Sequence, residues 1–353
     1  MIEREERSPS EIASKLINHT GKNIFLTGKA GTGKTTFLKH VVANTHKKCI
    51  VAAPTGIAAI NAGGVTLHSL FQLPFGSFVP DNTVGNSANS YSKINNPQSL
   101  IKSLQLNNNK RSLLREMELL IIDEVSMLRA DLLDAIDVIL KSVRRNHRKA
   151  FGGVQVLFIG DLLQLPPVVK DDEWQILRKY YNSIYFFDAQ VLRNDKPLYV
   201  ELDKIYRQDD AVFISLLNNL RTNKITTADL QLLNSYYKSG FKPQPDQNYI
   251  TLTTHNAKAD KINREYIQNL KARSFFYKAK VTGDFNENAY PIEFNLELKE
   301  GAQVMFVKND PTGEQRFFNG KIGIISSLSE KEIRVQFNDS PKPVVVELSL
   351  IHI

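Results

Sequence analysis

The first segment able to carry out chemistry is a glycine-rich loop between a strand-like run and a helix-like run. Gly28 is followed, after four residues, by Gly33-Lys34-Thr35, which is the spacing of a phosphate-binding loop. Its backbone N–H groups turn towards a phosphate, and the following helix presents its positive end. Lys34 is predicted to reach the β- and γ-phosphates of ATP, and Thr35 to bind Mg²⁺. The other predicted nucleotide contacts are Gly31, Ala30, Thr32 and Thr36.

Two further strand ends carry polar side chains suited to the same site. The apolar run 119–122 ends in Asp123 and Glu124; Asp123 is predicted to hold Mg²⁺, and Glu124 to accept a proton from the attacking water. The run 154–160 is followed by Asp161 and Gln164, of which Gln164 is predicted to sense the γ-phosphate. The alternatives are a solvated acidic pair and an incidental glutamine in a proline-terminated loop.

The elements that must position these residues alternate along the chain. Strands are predicted over 24–27, 49–53, 119–123 and 154–160, and apolar strands separated by helices favour a parallel sheet covered on both faces. The segment 74–111, rich in Asn, Ser and Gly, predicts a small inserted subdomain or a long loop. A second α/β unit is predicted from strands at 198–202 and 249–253 and helices at 211–222 and 227–238. From residue 298, short alternating runs predict a small antiparallel β module.

Composition limits the class of protein. The chain has 353 residues, a formal net charge of +8 and one cysteine, Cys49. The charge suits nucleic acid or an anionic membrane, although an ordinary basic enzyme fits as well. The acidic start lacks the apolar run of a signal peptide, and no stretch has the length of a membrane span. We expect a cytoplasmic monomer that does not act at a membrane.

The motifs, taken in order, resemble those of a known family. The segments GKAGTGKTT, APTGIAA, TLHSLF, IIDEVSML, GDLLQLPPV and LDKIYRQ are similar to motifs of the Pif-one/RecD-like helicases of superfamily one, and of the Pif-one type in particular. The resemblance covers nearly the whole chain. It implies α/β RecA-like motor domains with ATP between them, an SH3-like β module, and movement along single-stranded DNA from 5′ to 3′. It also makes Arg207 the arginine that stabilises the γ-phosphate, where the alternative is a surface ion pair.

The resemblance also implies a domain plan and a limit on activity. We expect a first motor domain over 1–73 and 112–188, the insertion over 74–111, an incomplete second motor domain over 189–297, and the β module over 298–353. No glutamine of the adenine-reading kind occurs in SPSEIASKLINHTG. The family's later motifs do not occur before the chain ends, so we expect this chain to bind ATP and DNA but to unwind poorly.

A nucleic-acid track is predicted at the ends of the second strand and its counterpart in the second unit. Thr55 is predicted to bind a DNA phosphate, and His68 and Phe71 to stack on or bond to bases, with a structural histidine as the alternative. Phe75 is a candidate wedge against a duplex. The basic run 141–149 faces either DNA or only solvent. The other predicted DNA contacts are Pro54, Gly56, Thr66, Thr253, Thr254, His255 and Asn256.

These observations predict an ATP-dependent 5′-to-3′ helicase acting on single-stranded and forked DNA, with G-quadruplex or RNA–DNA hybrid as further substrates. One alternative is an ATP- and DNA-binding switch that does not translocate. Another is a small-molecule P-loop kinase, against which the Gln164 and Arg207 motifs argue. Stimulation of ATP hydrolysis by single strands separates a motor from a kinase, and strand displacement separates a motor from a switch.

Overall fold

The chain forms two compact units, Met1–Asn234 and Ser235–Ile353. A computed structural model describes residues 8–82, 94–204, 206, 210–241, 249–279, 293–307, 310, 312, 314, 316–318 and 320–347. Within these ranges, every helix is too short or too polar to cross a membrane.

The first unit is built from short strands and amphipathic helices. Its strands are β1 (Ile24–Gly28), β2 (Cys49–Ala53), β3 (Val65–Thr66), β4 (Ser77–Phe78), β5 (Ile94–Asn95), β6 (Leu119–Ile122), β7 (Gln155–Ile159) and β8 (Leu198–Leu202). Its helices are α1 (Pro9–His19), α2 (Lys34–Asn44), α3 (Gly56–Asn61), α4 (Leu67–Phe71), α5 (Pro97–Ser103), α6 (Asn108–Glu116), α7 (Ala130–Arg144), α8 (Asp171–Leu177), α9 (Ala211–Arg221) and α10 (Thr227–Ser235).

A parallel sheet organises this unit, with the strand order β3-β2-β6-β7-β1-β8. Every pairing in it is parallel. Successive side chains of β6 enter different cores: Leu120 and Ile122 pack in the cluster that contains α7, whereas Leu119 and Ile121 pack in the cluster that contains α1 and α2. The sheet is therefore covered on both faces, which confirms the predicted α/β class and explains the unbroken apolar runs.

The order of the strands decides where the polar residues meet. β6, β7 and β1 are neighbours, and they are the strands that precede Asp123, Asp161 and the glycine-rich loop. Because carboxyl ends of parallel strands lie at one edge of a sheet, these three segments share that edge.

The described part of the insertion packs on the first unit's own core. Phe78, Leu100 and Leu106 are buried in the cluster that contains α7. β4 and β5 form a two-residue parallel pair. The insertion therefore has no independent core within the described residues, and residues 83–93 lie outside them.

A buried ion-pair network fixes the start of the insertion. The guanidinium of Arg129 donates to both carboxylate oxygens of Asp131 at 2.9 and 2.8 Å, and to the Ser77 hydroxyl at 3.2 Å. Its other nitrogen lies 3.4 Å from the Glu173 carboxylate. The Phe78 N–H also donates to Asp131, at 3.0 Å. α7, α8 and β4 are thus tied together beside the exposed Phe75.

Two predicted strands differ in the structure. Leu198–Leu202 is a strand, but it pairs in parallel with β1, so it belongs to the first sheet and not to a second α/β unit. Its alternating burial, with Val200 and Leu202 inward, fits a sheet edge. Residues 249–253 do not form a strand: Ile250 is 57% and Leu252 91% exposed, so this β-branched run finds no sheet to pair with among the described residues.

The described residues of the second unit form a long helix and two antiparallel sheets. Its elements are α11 (Asn256–Asn269), β9 (Phe275–Lys278), β10 (Asn295–Leu298), β11 (Gln303–Met305), β12 (Ile322–Leu328), β13 (Glu332–Gln336) and β14 (Val344–Glu347). β9 pairs with β10, and β11 to β14 form an antiparallel sheet in chain order. Tyr277 and Leu298 share a core with Ile325, Val335 and Phe337. The predicted antiparallel module is confirmed, and β9 and β10 pack with it.

Candidate nucleotide and nucleic-acid site

The phosphate loop joins β1 to α2 and depends on glycine at specific positions. Gly33 caps α2 with φ of 85°, a left-handed conformation that residues with a Cβ adopt at a cost. Gly28 is required for space, because a Cβ there would lie 2.5 Å from the Thr32 hydroxyl and 2.6 Å from the Leu202 carbonyl oxygen. Ala30, Thr35 and Thr36 are exposed and Thr32 is buried.

Lys34 bonds its own loop. Its ammonium donates to the carbonyl oxygens of Gly28 at 2.7 Å and Lys29 at 3.0 Å. Burial lowers the pKa of Lys34, against the opposing influence of Asp161 and Glu124. A phosphate would offer this half-buried ammonium stronger, charged acceptors than the two carbonyls.

Asp123 lies buried at the end of β6, beside Glu124. Its N–H donates to the Ala52 carbonyl at 2.9 Å, and its carboxylate accepts from the Glu124 N–H at 3.0 Å. Burial raises the pKa of Asp123 to about 6, and the charge of Glu124 adds to this while Lys34 opposes it. Glu124 has φ of 50°, a conformation that is costly without glycine and is found often at functional sites.

Asp161 is the polar centre at the end of β7. It is 1% exposed, and it accepts from the Leu163 N–H at 3.1 Å and the Gln164 side-chain amide at 3.0 Å. The guanidinium of Arg221 forms an ion pair with it. The structure therefore places Gln164 in this group, and it adds Asp161 and Arg221, to which the sequence analysis gave no role.

The sequence indicates the position of Asp161 but not its pairing with Arg221. Asp123 follows β6 directly and Asp161 follows β7 after one glycine, Gly160, so the sequence already indicated that Asp161 lies at the sheet edge. Arg221 is separated from Asp161 by 60 residues, and only the folded chain shows their pairing.

Tyr206 lies against the phosphate loop. Its N–H donates to the Gly31 carbonyl at 2.8 Å, and its ring lies 3.7 Å from the position that a Cβ on Gly33 would take. The next residue, the predicted γ-phosphate arginine Arg207, lies outside the described residues.

The predicted DNA contacts of the first unit follow β2 and β3, which are neighbours in the sheet. The Thr55 hydroxyl caps α3 by accepting from the Ala58 N–H at 3.3 Å. In the same way, the Thr66 hydroxyl caps α4 by accepting from the Ser69 N–H at 3.2 Å. Pro54 and Gly56 flank Thr55 and are half-buried. Two helix N-termini thus lie at this edge, and they favour anions such as phosphate.

The aromatic candidates beside α4 separate into buried and exposed groups. Phe71 is 0% exposed and belongs to the core, so this structure does not present its ring for the predicted stacking on bases. Phe75 is 79% exposed. His68 is half-buried, and its pKa is lowered first by burial and then by the positive charge of Arg129, so the imidazole is neutral at pH 7.

The candidates in the second unit bond to one another. The Thr254 hydroxyl and the His255 Nδ1 lie 2.8 Å apart, and the His255 N–H donates to the Thr253 hydroxyl at 3.4 Å. Asn256 begins α11. Thr254 and His255 are exposed.

Part of the basic run 141–149 is structural. Arg144 donates to the carbonyl oxygens of Leu114 at 3.1 Å and Met117 at 2.9 Å, and so joins α7 to the end of α6. Lys141 forms an ion pair with Asp137 at 2.6 Å. Both cations already have partners within the fold.

A parallel sheet that gathers a glycine-rich loop, an acidic pair and an Asp–Gln pair at one edge is typical of RecA-like P-loop domains. A family model described as PIF1-like helicase matches residues 2–231. The chain belongs to the PIF1-like helicase family.

Solved structures and curated proteins agree with this membership. The structure of Bacteroides Pif1 bound to ssDNA is 39% identical, with a TM-score of 0.80 over 98% of this chain and 74% of that one. A structure of two Pif1 helicases at forked dsDNA is 40% identical, with a TM-score of 0.79 over 97% of this chain and 76% of that one. The human ATP-dependent DNA helicase PIF1 is 31% identical over 86% of this chain. The chain spans 44% of that protein and 34% of the Saccharomyces cerevisiae one.

Proposed function

We propose that this chain is an ATP-dependent DNA motor. The observation that carries the proposal is the meeting of Lys34, Asp123, Glu124 and Gln164 at one edge of the parallel sheet. A kinase would need the loop and the metal carboxylate, but it would not need a γ-phosphate glutamine that shares a carboxylate, Asp161, with an arginine of α9. Family membership favours the same activity.

Each residue is proposed to act through chemistry that its position supports. Lys34 leaves its loop carbonyls to bind phosphate oxygens. Thr35 and Asp123 supply a hydroxyl and a carboxylate, the oxygen donors that Mg²⁺ prefers, and the metal would neutralise charge on the phosphates. Glu124 accepts a proton from water, and Gln164 senses the γ-phosphate. Arg207 is proposed to stabilise the γ-phosphate on the strength of the motif alone.

The DNA track is proposed to run over the ends of β2 and β3. Thr55, Gly56 and Thr66 bind phosphates, while His68 and Phe75 contact bases. In the second unit, residues 253–256 are proposed to bind the same strand. A track made of phosphate contacts and stacking is tolerant of sequence.

The direction of movement, the DNA substrates and the oligomeric state are proposed from the resemblance to Pif-one-type helicases. We propose 5′-to-3′ movement, action at forks, G-quadruplexes or RNA–DNA hybrids, and a monomeric state. The single cysteine supports a reducing, cytoplasmic setting. The first motor domain is proposed over 1–73 and 112–188, with β8 completing its sheet, the insertion over 74–111 and the SH3-like module over 298–353; the second motor domain then begins after β8.

The experiment that tests the function combines two assays on the same chain. ATP turnover is measured with and without oligo-dT, and strand displacement is measured on a forked duplex with a 5′ tail. Turnover stimulated by oligo-dT together with displacement supports a motor. Stimulation without displacement supports an ATP- and DNA-dependent switch, and turnover indifferent to DNA would contradict both.

A further inference from the structure

The carboxylate of Asp161 connects the nucleotide site to α9. It is buried, and its Oδ2 accepts from both the Gln164 amide at 3.0 Å and the guanidinium of Arg221. Arg221 is the last residue of α9, and its side chain is 20% exposed. A carboxylate in such a position requires a compensating cation, because an unpaired buried charge is strongly destabilising.

The same pair acts on the phosphate-binding lysine. Among the charges near Lys34, Asp161 opposes most strongly the burial that lowers the lysine pKa, and Arg221 acts in the other direction. The ion pair between Asp161 and Arg221 therefore acts electrostatically on Lys34 in the phosphate loop.

α9 itself buries little apolar surface. Of its residues only Leu216 is buried, while Val212 is 63% and Leu217 43% exposed. Its N-terminus is capped by Asp210, which accepts from the Val212 and Phe213 N–H groups at 2.9 and 3.0 Å. With so little apolar burial, the ion pair at Arg221 contributes much of the attachment of α9 to the rest of the first unit.

We propose that Arg221 is a positioning residue that couples the γ-phosphate site to α9 through Asp161. The proposal rests on the proposed function, in which Gln164 turns to the γ-phosphate. When Gln164 leaves Oδ2, Arg221 is the only side chain among the described residues that still bonds the Asp161 carboxylate, and it is held more tightly. α9 is therefore more firmly attached when a nucleoside triphosphate is bound.

Hydrogen exchange on the full chain tests this coupling. Exchange is followed by mass spectrometry in residues 28–36 and 211–221, with and without Mg²⁺ and a β,γ-imido ATP analogue. The variants are Arg221→Gln, Arg221→Lys and, as a control that removes one nearby positive charge, the exposed Lys224→Gln.

In the wild type and in Lys224→Gln, the analogue should slow exchange in both segments, in α9 by about 10-fold, a typical size for coupling between sites. In Arg221→Gln it should slow exchange only in 28–36, and Arg221→Lys should be intermediate. The double variant Asp161→Asn/Arg221→Gln removes both charges, so it should recover stability but not the protection of α9.

The outcomes separate this proposal from the one it rests on. Equal protection of α9 in the wild type and in Arg221→Gln, while 28–36 is protected in both, would overturn the coupling alone. Loss of α9 protection in Lys224→Gln as well would show that the effect is not specific to the ion pair. An unprotected 28–36 in the wild type would overturn nucleotide binding, and the coupling with it.

Discussion

The ammonium of Lys34 lies 2.7 Å from the carbonyl oxygen of Gly28, the first residue of its own phosphate loop. Carbonyl oxygens of the loop itself therefore accept the hydrogen bonds of this lysine. In the proposed role of Lys34, ATP would replace these two neutral acceptors with charged phosphate oxygens, and the ammonium already lies at the loop that would bind them.

Lys34→Ala is expected to reduce ATP turnover by about 10²-fold or more, since it removes a cation from the site where charge develops. Turnover is measured with saturating oligo-dT. Lys39→Ala is the control, because Lys39 is exposed on the same helix. Turnover within a few fold of the wild type would contradict the assignment of the phosphate loop.

Glu124→Gln is expected to retain ATP binding and to slow hydrolysis by about 10²-fold or more, because only the proton acceptor is lost. Binding is measured with a fluorescent ATP analogue and hydrolysis by phosphate release. Glu116→Gln, which alters an exposed ion pair with Lys48, should leave both unchanged. If binding and hydrolysis fell together, Glu124 would be a structural or metal-binding residue.

The stability of the metal-free chain should depend on pH through Asp123. Its folded-state pKa of about 6 lies above the ordinary aspartate value, so the folded chain binds more protons than the unfolded chain between about pH 4 and pH 6. The contribution of Asp123 to stability is therefore fully present below pH 4 and is lost as the pH rises through 6, a change of up to about 3 kcal/mol.

Denaturant unfolding of the wild type and Asp123→Asn, without Mg²⁺ and nucleotide, measures this effect. The asparagine variant should be the more stable one at pH 7.5, and the difference should shrink towards pH 4.5. A difference that does not vary with pH would show that Asp123 titrates normally.

The sequence predicted the parts of this site that depend on local pattern, and it missed those that depend on pairing over a distance. The phosphate loop, Asp123 and Gln164 each follow an apolar strand, so their common edge follows from strand periodicity. The ion pair between Asp161 and Arg221 has no local pattern. β8 was assigned to the wrong sheet for the same reason, since an isolated strand does not indicate its neighbour.

His68→Ala is expected to weaken single-strand binding by about 5- to 100-fold, the range of one stacking contact, with no change in ATP affinity without DNA. Because burial makes the imidazole neutral at pH 7, the slope of log affinity against log salt should stay the same as that of the wild type. Fluorescence anisotropy with labelled oligo-dT, from about 50 to about 200 mM salt, measures the affinity and its salt dependence. The exposed His40→Ala is the control, and an unchanged DNA affinity in His68→Ala would indicate a structural histidine.

Two phenylalanines four residues apart should give opposite results. Phe71 is 0% exposed and Phe75 is 79% exposed. Phe71→Ala should lower the free energy of unfolding by about 3 to 5 kcal/mol, because it leaves a cavity in the core, while DNA affinity at a temperature where the variant is folded should hardly change. Phe75→Ala should leave stability within about 0.5 kcal/mol of the wild type. It should weaken binding to oligo-dT by about 5- to 100-fold through loss of stacking.

Denaturant unfolding and fluorescence anisotropy on both variants test this contrast. If Phe75→Ala bound DNA as the wild type does, the exposed ring would have no part in the track. If instead Phe71→Ala lost DNA affinity but kept the stability of the wild type, the Phe71 ring of the wild type would have to leave the core when DNA binds.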